Sequence, residues 1–205
     1  MTATAFALAT LLKKPSRGIG LFRTIFYLPT IVPLIASATL WLFIFNPQWG
    51  LLNQALGLVG IPPQQWIFDE ALVVPSLVLM AMWSSAGVAM IVYLAGLQGI
   101  PQHLYEAVEI DGGGAWARFR HVTLPMMTPL ILFNVILGFI NAVQTFVQPY
   151  VMTQGGPNNA SLFYMLHVYQ EAFTYQNMGY ACALAWVLFV GVALVSFVVF
   201  RTSRW

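Results

Sequence analysis

The sequence predicts an all-α protein, a polytopic bundle of transmembrane helices with four full spans and a partial helix at the N-terminus. Hydrophobic residues make up 60% of its 205 residues and charged residues only 7%, whereas soluble domains carry about 25% charged residues. Four charge-free windows are each long enough to cross a bilayer, which takes about 20 mostly apolar residues. So few charges cannot cover a soluble surface, and a membrane is therefore the predicted environment.

The first element is an apolar segment, residues 1–12, that ends at Lys13. It is only half long enough to span a membrane. A signal peptide would carry its basic residues before the apolar core, but here they follow it. We therefore interpret residues 1–12 as the last turns of an earlier transmembrane helix, and we expect this chain to lack an N-terminal region that its relatives have.

The four long apolar windows cover residues 24–45, 71–96, 126–147 and 179–200. We expect the first window to form one helix with Pro29 and Pro33 in its first turns, where helices tolerate proline best. An alternating topology then places all eight basic residues on one side: Lys13, Lys14, Arg17, Arg23, Arg118, Arg120, Arg201 and Arg204. The positive-inside rule identifies that side as the cytoplasm.

Residues 99–123, between the second and third windows, hold an unusual share of the charge. Three of the six acids lie here, Glu106, Glu109 and Asp111. Pro101 can open a helix, and Gly112 can end it. A second short helix is expected from about residue 115 to 122, before the third span begins at Pro125. Two short helices at a glycine elbow predict a compact knob with apolar residues to fill a groove and charges around them.

The spacing within this segment is more specific than its composition. Glu106, Ala107 and Val108 are followed by three residues and Gly112, and nine further residues precede Val122, Thr123, Leu124 and Pro125. This pattern resembles the EAA loop of permease subunits of bacterial ABC importers, with Val108 in place of the second alanine. The stretches FNPQWGLLN and QPYVMTQGGPNNAS resemble loops of the maltose- and glycerol-phosphate-type sugar permeases, so the likeness covers nearly the whole chain.

This resemblance implies a single permease domain over residues 1–205, with the type I ABC importer permease fold. It implies a multi-pass protein of the bacterial cytoplasmic (inner) membrane, with residues 99–123 as a cytoplasmic coupling loop and the C-terminus also cytoplasmic. Such a subunit forms half of the path for a sugar or sugar-like solute. Its expected partners are an ABC ATPase dimer, a second homologous permease and an extracytoplasmic solute-binding protein. ATP and Mg would be held by the ATPase, and this chain would bind no cofactor.

By the same resemblance, the ATPase-coupling residues are Glu106, Ala107, Val108, Gly112, Leu124 and Pro125. Leu104, Ala107 and Val108 share the apolar face of the first helix. Gly112 is expected to let the two helices approach closely. Glu106 is expected to pair with the ATPase or to cap the knob.

Polar residues inside a span are costly and therefore informative. The third span carries Asn134, Asn141 and Gln144, with Gln148 at its end, and in a continuous helix all four lie on one face. Amides beside Phe146 suit a sugar, whose hydroxyls need hydrogen-bond partners and whose C–H faces stack on rings. Alternatively, these amides bond neighbouring helices. Asn141 and Gln144 are the preferred substrate-path residues, ahead of Gln148 and Asn134.

Several functions lack the residues they need. The sequence contains no phosphate-binding G-x-x-x-x-G-K-[ST] motif, so an ATPase of that class is not predicted, and it shows no reactive cluster of an enzyme. His103, His121 and His167 lie on different segments and predict no metal site. A secondary carrier would show charges inside its spans. A truncated, non-transporting permease or scaffold, and an ABC permease for a non-sugar solute, remain as alternatives. Nucleic acid is not an expected partner, because the net charge is only +2.

Overall fold

The computed structural model of the chain describes residues 2–13 and 18–202, which form helices and no β-strand. Lys14, Arg17 and Arg204, on which the predicted orientation partly depends, lie outside the described residues. The α-helices, in chain order, are α1 (Thr2–Leu11), α2 (Ile19–Tyr27), α3 (Leu34–Ile44), α4 (Leu51–Gly57), α5 (Glu70–Gln98), α6 (Gln102–Ile110), α7 (Ala115–Arg118), α8 (Leu124–Val143), α9 (Val147–Met152), α10 (Tyr164–Tyr169) and α11 (Met178–Thr202). A 3₁₀ turn covers Leu28–Ile31, and π-helical segments cover Phe119–Thr123 and Gln170–Thr174.

The chain divides into two compact units. Among the described residues, the first unit contains 2–13, 18–30, 85–138 and 201–202, and the second contains 31–84 and 139–200. The all-α fold predicted from the sequence is confirmed. The assignment of residues 1–205 to a single permease domain stays a prediction.

The core of the first unit is built on small residues of α1. Ala5 and Ala9 are fully buried and belong to one apolar cluster with Met90, Tyr93 and Met127. Residues 2–11 are helical, as the sequence predicts. That this helix is the end of an earlier span stays a prediction.

The core of the second unit is apolar around one buried amide. Asn53 is 7% exposed, and its Nδ2 donates to the carbonyls of Pro47 (3.1 Å) and Gln64 (2.9 Å). Its Oδ1 accepts from Trp66 Nε1 at 2.9 Å. Because every polar atom of this side chain is bonded, Asn53 can be buried and can tie α4 to the loop that precedes α5.

Within residues 2–13 and 18–202, three stretches are long and apolar enough to span a membrane, namely Glu70–Gln98, Ala115–Met152, which includes the short gap between α8 and α9, and Met178–Arg201. A fourth span exists only if Ile19–Ile31 and Leu34–Ile44, which are bent at the break between them, are counted together. The expectation of one continuous first span with Pro29 and Pro33 in its opening turns is therefore wrong. Pro33 is the N-cap of α3, with a ψ of 136°. Its ring disfavours helical geometry in the preceding residue and removes a donor, so the helix stops and restarts there.

Candidate functional site

The candidate site is the segment 101–123, which we call the elbow. α6 begins directly after Pro101, its N-cap, and ends at the C-cap Asp111. Leu104, Tyr105 and Val108 turn inward and pack against the apolar core of the first unit. Ala107, expected on the same face, is instead exposed, because the helix phase centres the packed face on residues 104, 105 and 108.

The glycines end α6 in a left-handed cap. Gly112 has a φ of 78°, and its N–H donates to the Glu109 carbonyl at 3.0 Å. The Gly113 N–H donates to the Val108 carbonyl at 2.8 Å. These two bonds form a Schellman motif, in which the residue after the C-cap needs the left-handed conformation that glycine adopts most readily.

Close approach of the two helices depends on Gly113 and not on Gly112. A Cβ at Gly112 would meet no heavy atom within 4 Å. A Cβ at Gly113 would lie 2.5 Å from Val108 Cγ1, 2.8 Å from the Val108 carbonyl oxygen and 3.1 Å from Ala117 Cβ. The sequence-based expectation is thus corrected: Gly112 turns the chain, and Gly113 lets α6 and α7 meet.

The outer surface of the elbow carries large apolar side chains. Ile110 is 86% exposed and Trp116 is 70% exposed, and the Trp116 ring stacks on Phe119 with centroids 5.7 Å apart. The elbow has two arms, α6 and the segment 115–123 that begins with α7. An ion pair between Arg118 and Glu109 joins these two arms. An exposed apolar patch on a segment bordered by charges is typical of a protein–protein contact.

Glu106 is exposed on the outer side of α6. Among the described residues it has no hydrogen-bond or ion-pair partner. The carboxylate does not cap the elbow, one of the two roles expected for it. It remains available to a group outside this part of the chain.

The second arm does not end before the membrane span. α7 continues through the π-helical segment Phe119–Thr123 into α8, and Leu124 and Pro125 lie in the first turn of α8. The third span was expected to begin at Pro125; α8 begins one residue earlier, and no break separates it from the second arm. The Leu124 N–H bonds to the Phe119 carbonyl, five residues back. This wider turn directly before Pro125 replaces the regular bonding with which a proline ring would interfere.

The four predicted substrate-path amides do not share one helix. α8 ends at Val143, and Gln148 lies on α9 after three non-helical residues, so the predicted common face is interrupted. Asn134 belongs to the first unit, and its Nδ2 donates to the Leu130 carbonyl of its own helix at 2.9 Å. Asn141, near the end of α8, and Gln144, the first residue after it, are both exposed. Their role in a substrate path stays a prediction.

An aromatic cluster lies in the same unit as Asn141 and Gln144. The ring of Tyr169 lies 5.1 Å from Phe146, 5.2 Å from Tyr150 and 5.1 Å from Phe173, centroid to centroid. The hydrogen bond with Tyr150 and the charge of that phenolate raise the pKa of the Tyr169 phenol. The sequence predicts Phe146 beside the amides but not Tyr169 or Phe173, because these two rings are distant from the amides in the chain.

An apolar cavity of about 310 Å³ also lies in the second unit. Its lining residues are Phe139, Val143, Tyr164, Val187, Leu188, Gly191, Val192 and Val195. The Tyr164 hydroxyl donates to the Leu184 carbonyl at 2.7 Å, so this polar atom is already bonded. None of the predicted amides lines the cavity. The described residues contain no group of three or more His, Cys, Asp or Glu side chains that could hold a metal ion.

Comparison with known proteins gives one consistent family. Residues 2–205 match the family described as "Binding-protein-dependent transport system inner membrane component". The chain is 38% identical to a probable ABC transporter permease protein of Bacillus subtilis, over 98% of this chain and 66% of that protein. It is 36% identical to a lactose transport system permease of Rhizobium radiobacter, over 100% of this chain and 70% of that protein. It is 34% identical to a trehalose/maltose transport system permease of Thermococcus litoralis, over 97% of this chain and 66% of that protein.

The fold is also similar to solved structures. A chain of the bacterial alginate ABC transporter, in complex with an alginate pentasaccharide-bound periplasmic protein, matches with a TM-score of 0.89 at 21% identity. That match covers 99% of this chain and 72% of the other. The chain spans about two thirds of the length of the curated relatives that it matches.

Proposed function

The chain belongs to the family of binding-protein-dependent transport system inner membrane components, and from this membership we propose that it is a permease subunit of an ATP-driven importer. In this role it forms half of the path for a sugar or sugar-like solute. It receives the free energy of ATP hydrolysis through the elbow, residues 101–123. Hydrolysis takes place in a separate ATPase dimer, which holds ATP and Mg, so this chain is not an enzyme.

The observation that carries the proposal is the construction of the elbow. Leu104 and Val108 fix its inner side to the core of the first unit, while Ile110 and Trp116 project outward. The Schellman bonds and the Glu109–Arg118 pair hold the two arms together. A stiff unit of this kind passes on a displacement that a flexible loop would absorb.

The outer side of the elbow suits a groove on the ATPase. Large exposed apolar side chains such as Trp116 supply the buried centre of a contact. Glu106, which has no partner in the part of the chain that the structure describes, supplies a charge for a basic residue across the contact. α7 runs without a break into α8, so displacement of the elbow moves a membrane span directly.

The remaining partners follow from the family. A second homologous permease would complete the path, and an extracytoplasmic protein would deliver the solute. The similar alginate transporter was solved with a pentasaccharide-bound periplasmic protein, which supports a carbohydrate as the solute. The exposed amides Asn141 and Gln144 and the ring of Tyr150 offer the hydrogen bonds and the stacking surface that a sugar requires.

The proposed location is the bacterial cytoplasmic membrane, crossed several times, with the elbow and the C-terminus in the cytoplasm. Basic residues on the elbow side, Arg118 and Arg120, and at the end of the last span, Arg201, agree with the positive-inside rule. Asp69 and Glu171 would lie on the opposite side.

The test is purification of the tagged chain from its native membrane in mild detergent, with Glu106→Lys as the variant and Gln65→Lys as the control. Gln65 is an exposed residue outside the elbow. We expect the unchanged chain and the control to bring down an ATPase and a second permease. Glu106→Lys should lose at least the ATPase while staying in the membrane. Recovery of the unchanged chain without any ATPase would contradict the proposal.

A further inference from the structure

We propose that the hydroxyl of Tyr105 is a positioning group that transmits motion of α6 to the base of the membrane span α8. This inference rests on the proposed function, because it assigns the residue through which the elbow acts. Tyr105 lies on the inner side of α6, next to Glu106 in sequence, but it faces the protein and not a partner. It was not among the residues singled out by the spacing of the elbow.

The phenol sits at the centre of a chain of hydrogen bonds. Lys13 Nζ donates to the Tyr105 hydroxyl at 3.1 Å, and that hydroxyl lies 3.1 Å from Thr123 Oγ1. Thr123 Oγ1 in turn donates to the Arg118 carbonyl at 3.4 Å. The ammonium also lies over the Tyr105 ring, 4.4 Å from its centroid.

The direction of these bonds follows from the chemistry of the groups. An ammonium can only donate, and a carbonyl can only accept. The Tyr105 oxygen therefore accepts from Lys13 and donates its proton to Thr123, whose own proton goes to the Arg118 carbonyl. Hydrogen bonds aligned in one direction polarise one another, so the removal of one hydroxyl weakens every hydrogen bond in this series.

The chain of bonds ends at the π-helical segment Phe119–Thr123, where the elbow becomes the span. Thr123 is 7% exposed and Val122 is 6% exposed, so this junction is buried. π-helical turns are rare, and they occur often at functional positions because their bonding differs from that of the neighbouring helix. Tyr105 thus joins α6 to the one turn of the second arm whose bonding is irregular.

A directional link matters here because the other contacts on the inner side of α6 are apolar, and the Glu109–Arg118 ion pair lies on its exposed side. Leu104 and Val108 pack against the core, but hydrophobic contact is non-directional. Such a face can shift over its neighbours with little loss of burial. The hydroxyl fixes the position of α6 along α8, so that a displacement of α6 is passed to the span.

The variant Tyr105→Phe removes the hydroxyl and keeps the ring that packs on the core and faces Lys13. The complete transporter, purified from native membranes, is reconstituted in vesicles, and ATP hydrolysed per solute imported is measured. We expect the ATPase to be recovered in the normal ratio and the ATP-to-solute ratio to rise about two- to tenfold, as the loss of one hydrogen bond allows. Tyr175→Phe, at an exposed tyrosine outside the elbow, is the matched control and should leave the ratio unchanged.

A second pair of variants tests the same link from the other side. Thr123→Val should raise the ATP-to-solute ratio as Tyr105→Phe does. Thr123→Ser, which keeps the hydroxyl, should have the ratio of the unchanged transporter. The double variant Tyr105→Phe with Thr123→Val should be no worse than either single variant, because both break one chain of bonds. A normal ratio in Tyr105→Phe and Thr123→Val would overturn the inference.

Three outcomes can be told apart. Loss of assembly in both hydroxyl-free variants would assign the hydroxyls to folding and would also overturn the inference. If the unchanged transporter recovers no ATPase and shows no ATP-dependent uptake, the proposed function itself fails, and the inference fails with it. If every variant shows uptake with a normal ATP-to-solute ratio, the role of Tyr105 is rejected and the proposed function stands.

Discussion

Alanine substitution at the three consecutive glycines of the elbow should give three different results. Gly113→Ala places a Cβ 2.5 Å from Val108 Cγ1 and 2.8 Å from the Val108 carbonyl oxygen. One neighbour is a stiff β-branched side chain and the other is backbone, so neither yields without moving a helix. Overpacking of this kind costs about 1–3 kcal/mol, which corresponds to about a 5- to 150-fold shift toward an opened elbow.

Gly112 and Gly114 are matched controls: a Cβ has open space at both positions, but only Gly112 has a positive φ. Gly112→Ala meets no atom but must keep a φ of 78°, at a cost of about 1–2 kcal/mol. Gly112→Asn should cost less, because asparagine tolerates that conformation. Gly114 has a φ of −78° and open space around it. Gly114→Ala should therefore be neutral.

The assay is hydrogen exchange of the amides in residues 101–123 of the purified protein, read together with recovery of the ATPase. Exchange at Gly113 and at the last turn of α6 reports the Schellman bonds directly. We expect the fastest exchange in Gly113→Ala, intermediate exchange in Gly112→Ala and unchanged exchange in Gly114→Ala. Equal effects at Gly113 and Gly114, or no effect at Gly113, would refute the reasoning from close approach.

Three further changes test other parts of the fold and path. Gly87→Ala should lower the thermal stability of the purified protein, because its Cβ would lie 2.6 Å from a backbone oxygen of α2, whereas Gly138→Ala, with no atom within 4 Å, should not. Asn53→Leu should cost about 1–3 kcal/mol by leaving buried groups unbonded, measured as a lower midpoint of unfolding followed by tryptophan fluorescence. Asn141→Leu and Gln144→Leu should each weaken solute affinity about tenfold or more in an uptake assay; unchanged affinity and selectivity would assign these amides to helix contacts.

The residues that start and stop α6 made this helix predictable from the sequence. Pro101 and Gly112 act through their own backbone preferences, so the start and end of this helix are encoded within a few residues. The long spans of α5 and α11 were equally accessible, since length and lack of charge decide them. The family pattern then predicted that the segment is a coupling loop.

Features that depend on contacts between residues far apart in the chain could not be predicted from local sequence. Three identical glycine letters do not reveal that one turns the chain, one allows contact with Val108 and one is open. A proline near the start of a window can begin a helix or break it, and Pro33 does the second. Tyr105 bonds to Lys13, which is 92 positions away in the chain, and to Thr123, which is 18 positions away. No local sequence pattern therefore points to this link.

The central claim is that the elbow docks on an ATPase, and site-specific cross-linking tests it most directly. Cys182 is the single cysteine of the chain, so Cys182→Ser gives a background for Ile110→Cys, with Gln65→Cys as the control. Each cysteine carries a photoreactive probe in native membranes. We expect a cross-link from position 110 to a nucleotide-binding ATPase and none from position 65. Reaction of position 110 with lipid alone, in membranes where the transporter is active, would contradict it.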